Sequence, residues 1–142
     1  MAISPKYVLV CDEARQEITG KFIIIGLYQQ DLVTAQLPVV LPGLTFFVGV
    51  ESDKPGNYQC RITLQHLESG QTVAEGMGGF GIQRPGFGSF PIRLPNLQLN
   101  AVGAYLFSLT IDGEKDPITA SFNIILNVAQ PGRATFPLPP SR

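Results

Sequence analysis

Asp12, Glu13 and Arg15 form the one cluster in this sequence whose residue types suggest chemistry. Two carboxylates beside an arginine could transfer a proton or hold an anion. A solvated turn with an ion pair between side chains three residues apart explains the same residues equally well. Both interpretations stay open, and no residue is predicted to be catalytic.

His66 and Arg84 are two further candidates for contact with a ligand or a partner. His66 is the only histidine, so a catalytic triad or a histidine-based metal site would depend on it. Its position at the end of an alternating strand also fits a histidine at the rim of the core that forms a hydrogen bond with a backbone group. Arg84 lies in a segment with six glycines, Gly76–Gly88, and together with Arg93 it could contact an anion.

The glycine-rich segment 76–88 is predicted to be a long flexible loop or a set of bulges. It does not indicate a phosphate cradle, because no Gly-Lys-Ser/Thr ending and no following helix are present. Two cysteines and one histidine are too few for a structural zinc site. We therefore expect no metal and no cofactor.

Composition excludes several classes of function. Among 142 residues, 15% are charged, below the usual ~25%, and the net charge is −1. The ten Lys and Arg are scattered, so we expect neither nucleic acid nor an anionic membrane as partner. No export signal and no long apolar stretch is apparent, which favours a cytoplasmic protein. Cys11 and Cys60 are then expected to be reduced and buried, with a disulfide or a reactive thiol as alternatives.

The chain is organised around two apolar runs, Val8–Cys11 and Phe22–Ile25, joined by a polar connector that ends in the turn Thr19-Gly20. Their β-branched side chains and short lengths favour strands. A strand with one wet face alternates apolar and polar residues, and these runs do not. The pattern predicts a hairpin covered on both faces, by another segment of the chain or by another subunit.

The same hairpin carries a spaced motif. Its positions are Tyr7-x-Leu9-x-Cys11-Asp12-x-x-Arg15, then Gly20-Lys21 and Gly26-x-Tyr28. This motif resembles the opening of a family of small bacterial and phage-associated proteins with no assigned function. The resemblance implies a protein of about this length and implies no activity.

The rest of the chain reads as strands. Residues 58–66 and 105–111 alternate without exception, which indicates one core face and one wet face. Residues 44–50 also alternate, and residues 118–126 form the last predicted strand. Residues 56–75 are predicted to form a second hairpin. Two prolines make 89–99 an edge strand or a strand that switches sheets. About eight strands without a helix predict an all-β protein.

Two Gly-x-Tyr steps favour one all-β architecture over a closed barrel. Gly103-Ala104-Tyr105 resembles the step in immunoglobulin-like sandwiches where a tyrosine hydroxyl caps a corner, and Gly56-Asn57-Tyr58 repeats it. The prediction is an immunoglobulin-like Greek-key β-sandwich over residues 1–128. The proline-rich residues 129–142 are expected to be an extended tail, or a ligand for an aromatic groove.

Three functions compete on this scaffold. The leading hypothesis is a non-enzymatic, self-associating interaction module whose partner is a second copy, as a dimer, or another protein. The alternative is a small-ligand-binding sandwich that uses the glycine-rich segment 76–88. The third is an enzyme built on Asp12, Glu13 and Arg15.

Overall fold

The computed structural model describes residues 3–127, in which every regular element is a β-strand. The nine strands are β1 Ile3–Gln16, β2 Phe22–Tyr28, β3 Asp31–Thr34, β4 Val39–Ser52, β5 Gly56–His66, β6 Thr72–Ile82, β7 Gly86–Leu99, β8 Gly103–Ile111 and β9 Ile118–Leu126. The all-β prediction is confirmed. The expected eight become nine because Asp31–Thr34 forms its own short strand, parallel to β9.

The strands form two sheets that pack as a sandwich. The first has the order β2-β1-β4-β7 and the second β3-β9-β8-β5-β6. Their facing sides make one apolar core, where the rings of Phe46 and Phe107 stack with centroids 4.0 Å apart. The immunoglobulin-like Greek-key connectivity stays a prediction.

The strictly alternating strands behave as their sequences predict. In β5 and β8 the inward residues are buried and pair across the ladder, with Cys60 opposite Ile111 and Leu64 opposite Phe107. The expected tyrosine corner is also present, because Tyr105 donates to the Ala101 carbonyl at 2.7 Å.

The glycine-rich segment is not a flexible loop. It forms the second half of β6 and the start of β7, which are joined by residues 83–85 only. β6 pairs with β5 up to Ile82, and β7 pairs with β4 from Gly86 onwards. The prediction was wrong because backbone pairing, which glycine supports without a side-chain pattern, holds this segment in strands.

Residues 44–50 of strand β4 are buried on both faces, although their sequence alternates. Phe47 lies on the outer face of the first sheet with Tyr7, yet it is only 5% exposed. The ring of Phe22 covers it, with centroids 4.8 Å apart. Phe22 pairs with Gln16 of β1, and Phe47 pairs with Leu9 of β1. In a flat ladder these two β1 residues would lie about 23 Å apart, so the rings of their partners could not touch. The β1–β2 ribbon therefore bends back far enough for Phe22 to cover Phe47 on the outer face of β4.

Two other expectations concern the ends of the chain and membranes. The predicted proline-rich tail, 129–142, lies outside the described residues. Within the described part, no helix is long and apolar enough to cross a bilayer.

Candidate functional site

The three candidate residues Asp12, Glu13 and Arg15 lie within strand β1, and not in a connector as expected. The turn at Thr19-Gly20 is confirmed, since Gly20 has a φ of +94° and its amide donates to the Glu17 carbonyl at 2.9 Å. The whole motif therefore lies on one two-stranded ribbon. Its polar groups are placed by the β1–β2 register.

Asp12 is locked to strand β2 by two contacts. Its carboxylate accepts a hydrogen bond from the Tyr28 hydroxyl at 2.7 Å. It also occupies the space where a side chain on Gly26, the residue opposite, would begin. Burial, and then the neighbouring Asp12 carboxylate, raise the pKa of Tyr28 to about 12. Asp12, Gly26 and Tyr28 thus form an interlocked group whose geometry explains why these types occur together.

Glu13 and Arg15 form an exposed ion pair on the outer side of the same ribbon. The Arg15 Nε lies 3.1 Å from a Glu13 carboxylate oxygen. The hydrogen bond from Arg15 lowers the pKa of Glu13, and the carboxylate raises the pKa of Arg15. Both groups therefore stay charged at neutral pH. Such an exposed pair contributes little to stability, and it offers no proton for general acid catalysis.

Arg93 lines a shallow cleft of about 410 Å³ together with Asp12 and Glu13 of the ribbon. The Arg93 guanidinium lies across Gly43, where any side chain would collide with it, and donates to the Pro42 carbonyl at 3.5 Å. Its charge also contributes to the lowered pKa of Glu13. Sequence reasoning did not connect Arg93 with Asp12 and Glu13, because only the β1–β4–β7 register brings them together.

His66 is the last residue of β5 and is buried there. It is 6% exposed, and its Nε2 donates to the Val102 carbonyl at 2.9 Å. Since Nε2 carries the proton in the neutral ring, Nδ1 accepts from the Ser69 hydroxyl at 2.8 Å. Both ring nitrogens are engaged in holding turns, so the interpretation as a rim histidine with a backbone partner fits this geometry.

Arg84 lies in the short connection between β6 and β7. It lines a cleft of about 280 Å³ whose walls are aromatic. Phe80 and Phe90 stack there with centroids 4.3 Å apart and join the two sheets, while Phe87 is exposed. Arg84 stands at the Gly56 end of β5, and His66 at the other, so roughly 30 Å of strand separates them.

The predicted residues therefore do not form one site. Asp12, Glu13 and Arg15 share a ribbon, whereas His66 and Arg84 occupy opposite ends of the second sheet. Within residues 3–127, no three His, Cys, Asp or Glu side chains gather as metal ligands. Cys11 and Cys60 are both free and buried.

The feature that sequence reasoning placed wrongly is the outer face of β2. Ile23, Ile25 and Leu27 share this face and are 43%, 40% and 52% exposed. We call these three residues the β2 stripe. The prediction that both faces of this run are covered fails within the described part of the chain, because β2 is an edge strand that pairs with β1 alone.

Comparison with solved structures identifies the fold and nothing finer. The C-terminal domain of Wzt is similar at 12% identity, over 96% of this chain and 84% of that one, with a TM-score of 0.53. Pseudomonas fluorescens alkylpurine DNA glycosylase AlkC is similar at 9% identity over 87% of this chain, with a TM-score of 0.54. A Listeria innocua β-glucosidase is similar at 9% identity over 89%, with a TM-score of 0.50. This chain spans only 30% of the glycosylase chain and 16% of the glucosidase chain.

Sequence comparison is more specific. No curated protein matches the chain significantly. The profile of one family, described as a family of unknown function, matches residues 6–125, which includes the whole ribbon motif. The chain therefore belongs to the family of unknown function DUF6941.

Proposed function

We propose that this protein is a non-enzymatic interaction module that associates with a second copy of itself through the β2 stripe. The observation that carries the proposal is the exposure of Ile23, Ile25 and Leu27 on an edge strand. An exposed apolar edge strand is a liability for a protein that stays monomeric, and natural edges are normally blunted or covered. Covering the stripe in a dimer removes that liability.

The charges around the stripe favour contact between identical surfaces. Opposite Ile23 and Ile25 on the same face lie Arg15 and Glu13, whose charges pair with each other. A two-fold contact places the same surface on both partners, so an unbalanced charge would repel its own copy. This surface has an internally paired rim and an apolar centre, as interfaces commonly do.

The proposal includes no catalytic function, because the acidic side chains of the same ribbon already have partners within the chain. Asp12 is engaged with Tyr28 and Gly26, and Glu13 is engaged with Arg15. These contacts fix the ribbon that covers β4, which is a structural role. We propose that the module is cytoplasmic and has an immunoglobulin-like Greek-key scaffold, which the corner bond of Tyr105 supports.

The proposal is tested by placing a charge on the stripe. Ile25→Lys sets an ammonium group beside Glu13 in the free chain, so folding is retained, but it buries that charge in the dimer. We expect sedimentation equilibrium to show at least a tenfold weaker association than in the unmodified protein. Val33→Lys is the matched control, because Val33 is a comparably exposed apolar residue on β3. Equal masses for both variants would contradict the proposal. An unmodified protein that is still monomeric at a concentration on the order of 100 µM would also contradict it.

A second candidate function is supported by the cleft beside Arg84. A guanidinium next to the aromatic walls of Phe80, Phe87 and Phe90 suits a small aromatic or aliphatic carboxylate. A thermal-shift screen with benzoate and related carboxylates tests this function. We expect a raised melting temperature that Arg84→Gln abolishes, and no shift with any carboxylate would remove this candidate.

A further inference from the structure

Apolar side chains are exposed at one end of the second sheet, on its outer face. Val33 on β3 lies directly opposite Ile125 on β9. The residue before each of them belongs to the core, so alternation turns Val33 and Ile125 outwards. Two further side chains adjoin this pair. Val102 comes just before the first pair of the β8–β9 ladder, and the amide of Leu67 extends the β5–β8 ladder by donating to the Ala104 carbonyl at 3.0 Å.

We call Val33, Leu67, Val102 and Ile125 the β9 patch. They lie on or beside four neighbouring strands, and each is between 42% and 58% exposed. The patch spans three strand spacings, or about 14 Å. A contiguous apolar surface on a sheet face marks a place where another group binds.

The chain leaves the described structure beside this patch. Asn127, two residues after Ile125, is the last described residue, and its amide donates to the Thr34 carbonyl at 2.8 Å. Residues 128–142 follow, and they contain the sequence Phe136-Pro137-Leu138-Pro139-Pro140. Two large apolar side chains therefore stand among prolines, which lower the conformational entropy that a segment loses on docking.

The charges of the two parts are complementary. Residues 128–142 include Arg133 and Arg142 and no acidic residue. The segments that meet at the patch contain Asp31 and Glu68 and no lysine or arginine; these segments are residues 28–37, 64–72, 98–106 and 120–127. An acidic rim around an apolar centre favours a basic segment with apolar side chains as its occupant.

We propose that residues 128–142 fold back over the β9 patch of their own chain, with Phe136 and Leu138 on the apolar centre and the two arginines near the acidic rim. Phe136 is nine residues beyond Asn127, and nine residues span about 16 Å on average, which matches the width of the patch. A segment tethered in this way has a roughly millimolar effective concentration, so it occupies the patch before a second copy does. The β9 patch and the β2 stripe lie on different sheets, so the inference is independent of the proposed function.

A tryptophan placed in the segment tests this docking, because the chain has none of its own. In Phe136→Trp we expect the indole to be shielded from acrylamide. Adding Val33→Lys should expose it, since the ammonium group enters the patch and repels the arginines. The quenching constant should rise about threefold or more, because burying an aromatic side chain shifts an equilibrium roughly tenfold before the cost of ordering. Met77→Lys is the matched control: Met77 is also an exposed apolar residue but lies on β6, so quenching should not change.

Further measurements distinguish the possible positions of the segment. Glu68→Lys reverses a rim charge outside the apolar centre, and it should raise the quenching constant by a smaller factor than Val33→Lys. Shielding should be equal at about 1 µM and about 100 µM protein, which are both below the effective concentration of a tethered segment. Shielding that survives Val33→Lys, appears only at the higher concentration, or is lost in Ile25→Lys instead would overturn the inference. An indole that is quenched in Phe136→Trp as fast as free tryptophan amide would overturn it as well.

Discussion

Strands β4 and β2 both carry apolar side chains on their two faces, yet the fold covers them differently. In β4, residues 44–50 are buried on both faces, by the core on one side and by the rings of Tyr7 and Phe22 on the other. In β2, Phe22 packs against Phe47, while Ile23, Ile25 and Leu27 face outwards. The difference arises from position, since β4 is an inner strand and β2 is an edge. An apolar run therefore shows that cover is favourable, and does not show which molecule provides it.

The largest expected effect is at the contact where the ribbon covers β4. Phe47→Ala removes a buried ring that contacts Phe22 and Tyr7, so we expect a loss of about 3–5 kcal/mol in the free energy of unfolding. Ile25→Ala removes a partly exposed side chain and should cost about 1 kcal/mol or less. Urea denaturation of both variants at low protein concentration measures the difference. Equal losses would mean that β2 and β4 are covered alike.

The next effect is at the lock between Asp12 and β2. Gly26→Ala forces an alanine to a φ of +68° and displaces the Asp12 carboxylate, for an expected loss of about 2–3 kcal/mol. Gly20→Ala is the control, because Gly20 also has a positive φ but nothing lies near it, and about 1–2 kcal/mol is expected. Thermal unfolding distinguishes the two. A smaller loss at Gly26 than at Gly20 would show that Asp12 does not hold the ribbon.

The smallest effect is on pH dependence. Tyr28 ionises at about 12 in the folded chain and near 10 when unfolded. Its contribution to stability is therefore complete below pH 10, and it is lost as the pH rises from 10 through 12. Tyr28→Phe should remove this part of the pH dependence, and Asp12→Asn should lower the pKa of Tyr28. Ultraviolet titration of tyrosinate absorbance checks both, and a Tyr28 that titrates unchanged in Asp12→Asn would show that the charge of Asp12 has no influence.

Sequence reasoning succeeded where local pattern decides structure. Alternation placed the inward residues of β5 and β8, and Gly20 located the first turn, because both depend on neighbours along the chain. It failed where distant segments decide. The bend of the ribbon over Phe47 and the strands formed by Gly76–Gly88 depend on pairing between remote parts of the chain.

The candidate site divides in the same way. The tyrosine corner and the bonded rim histidine could be expected from residue type and position. The Asp12–Gly26–Tyr28 lock could not, since it needs the register of β1 against β2. The nearness of Arg93 to Glu13 needs two further ladders, from β1 to β4 and from β4 to β7.

The most direct test of the central claim, that a second copy covers the β2 stripe, is the maleimide labelling rate of Ile25→Cys as protein concentration increases. Cys11 and Cys60 are buried and react slowly, so the introduced thiol reports its own surface. We predict that its labelling slows as concentration rises, while labelling of Val33→Cys on β3 stays constant. An Ile25→Cys thiol that reacts at the same rate at every concentration would contradict the account.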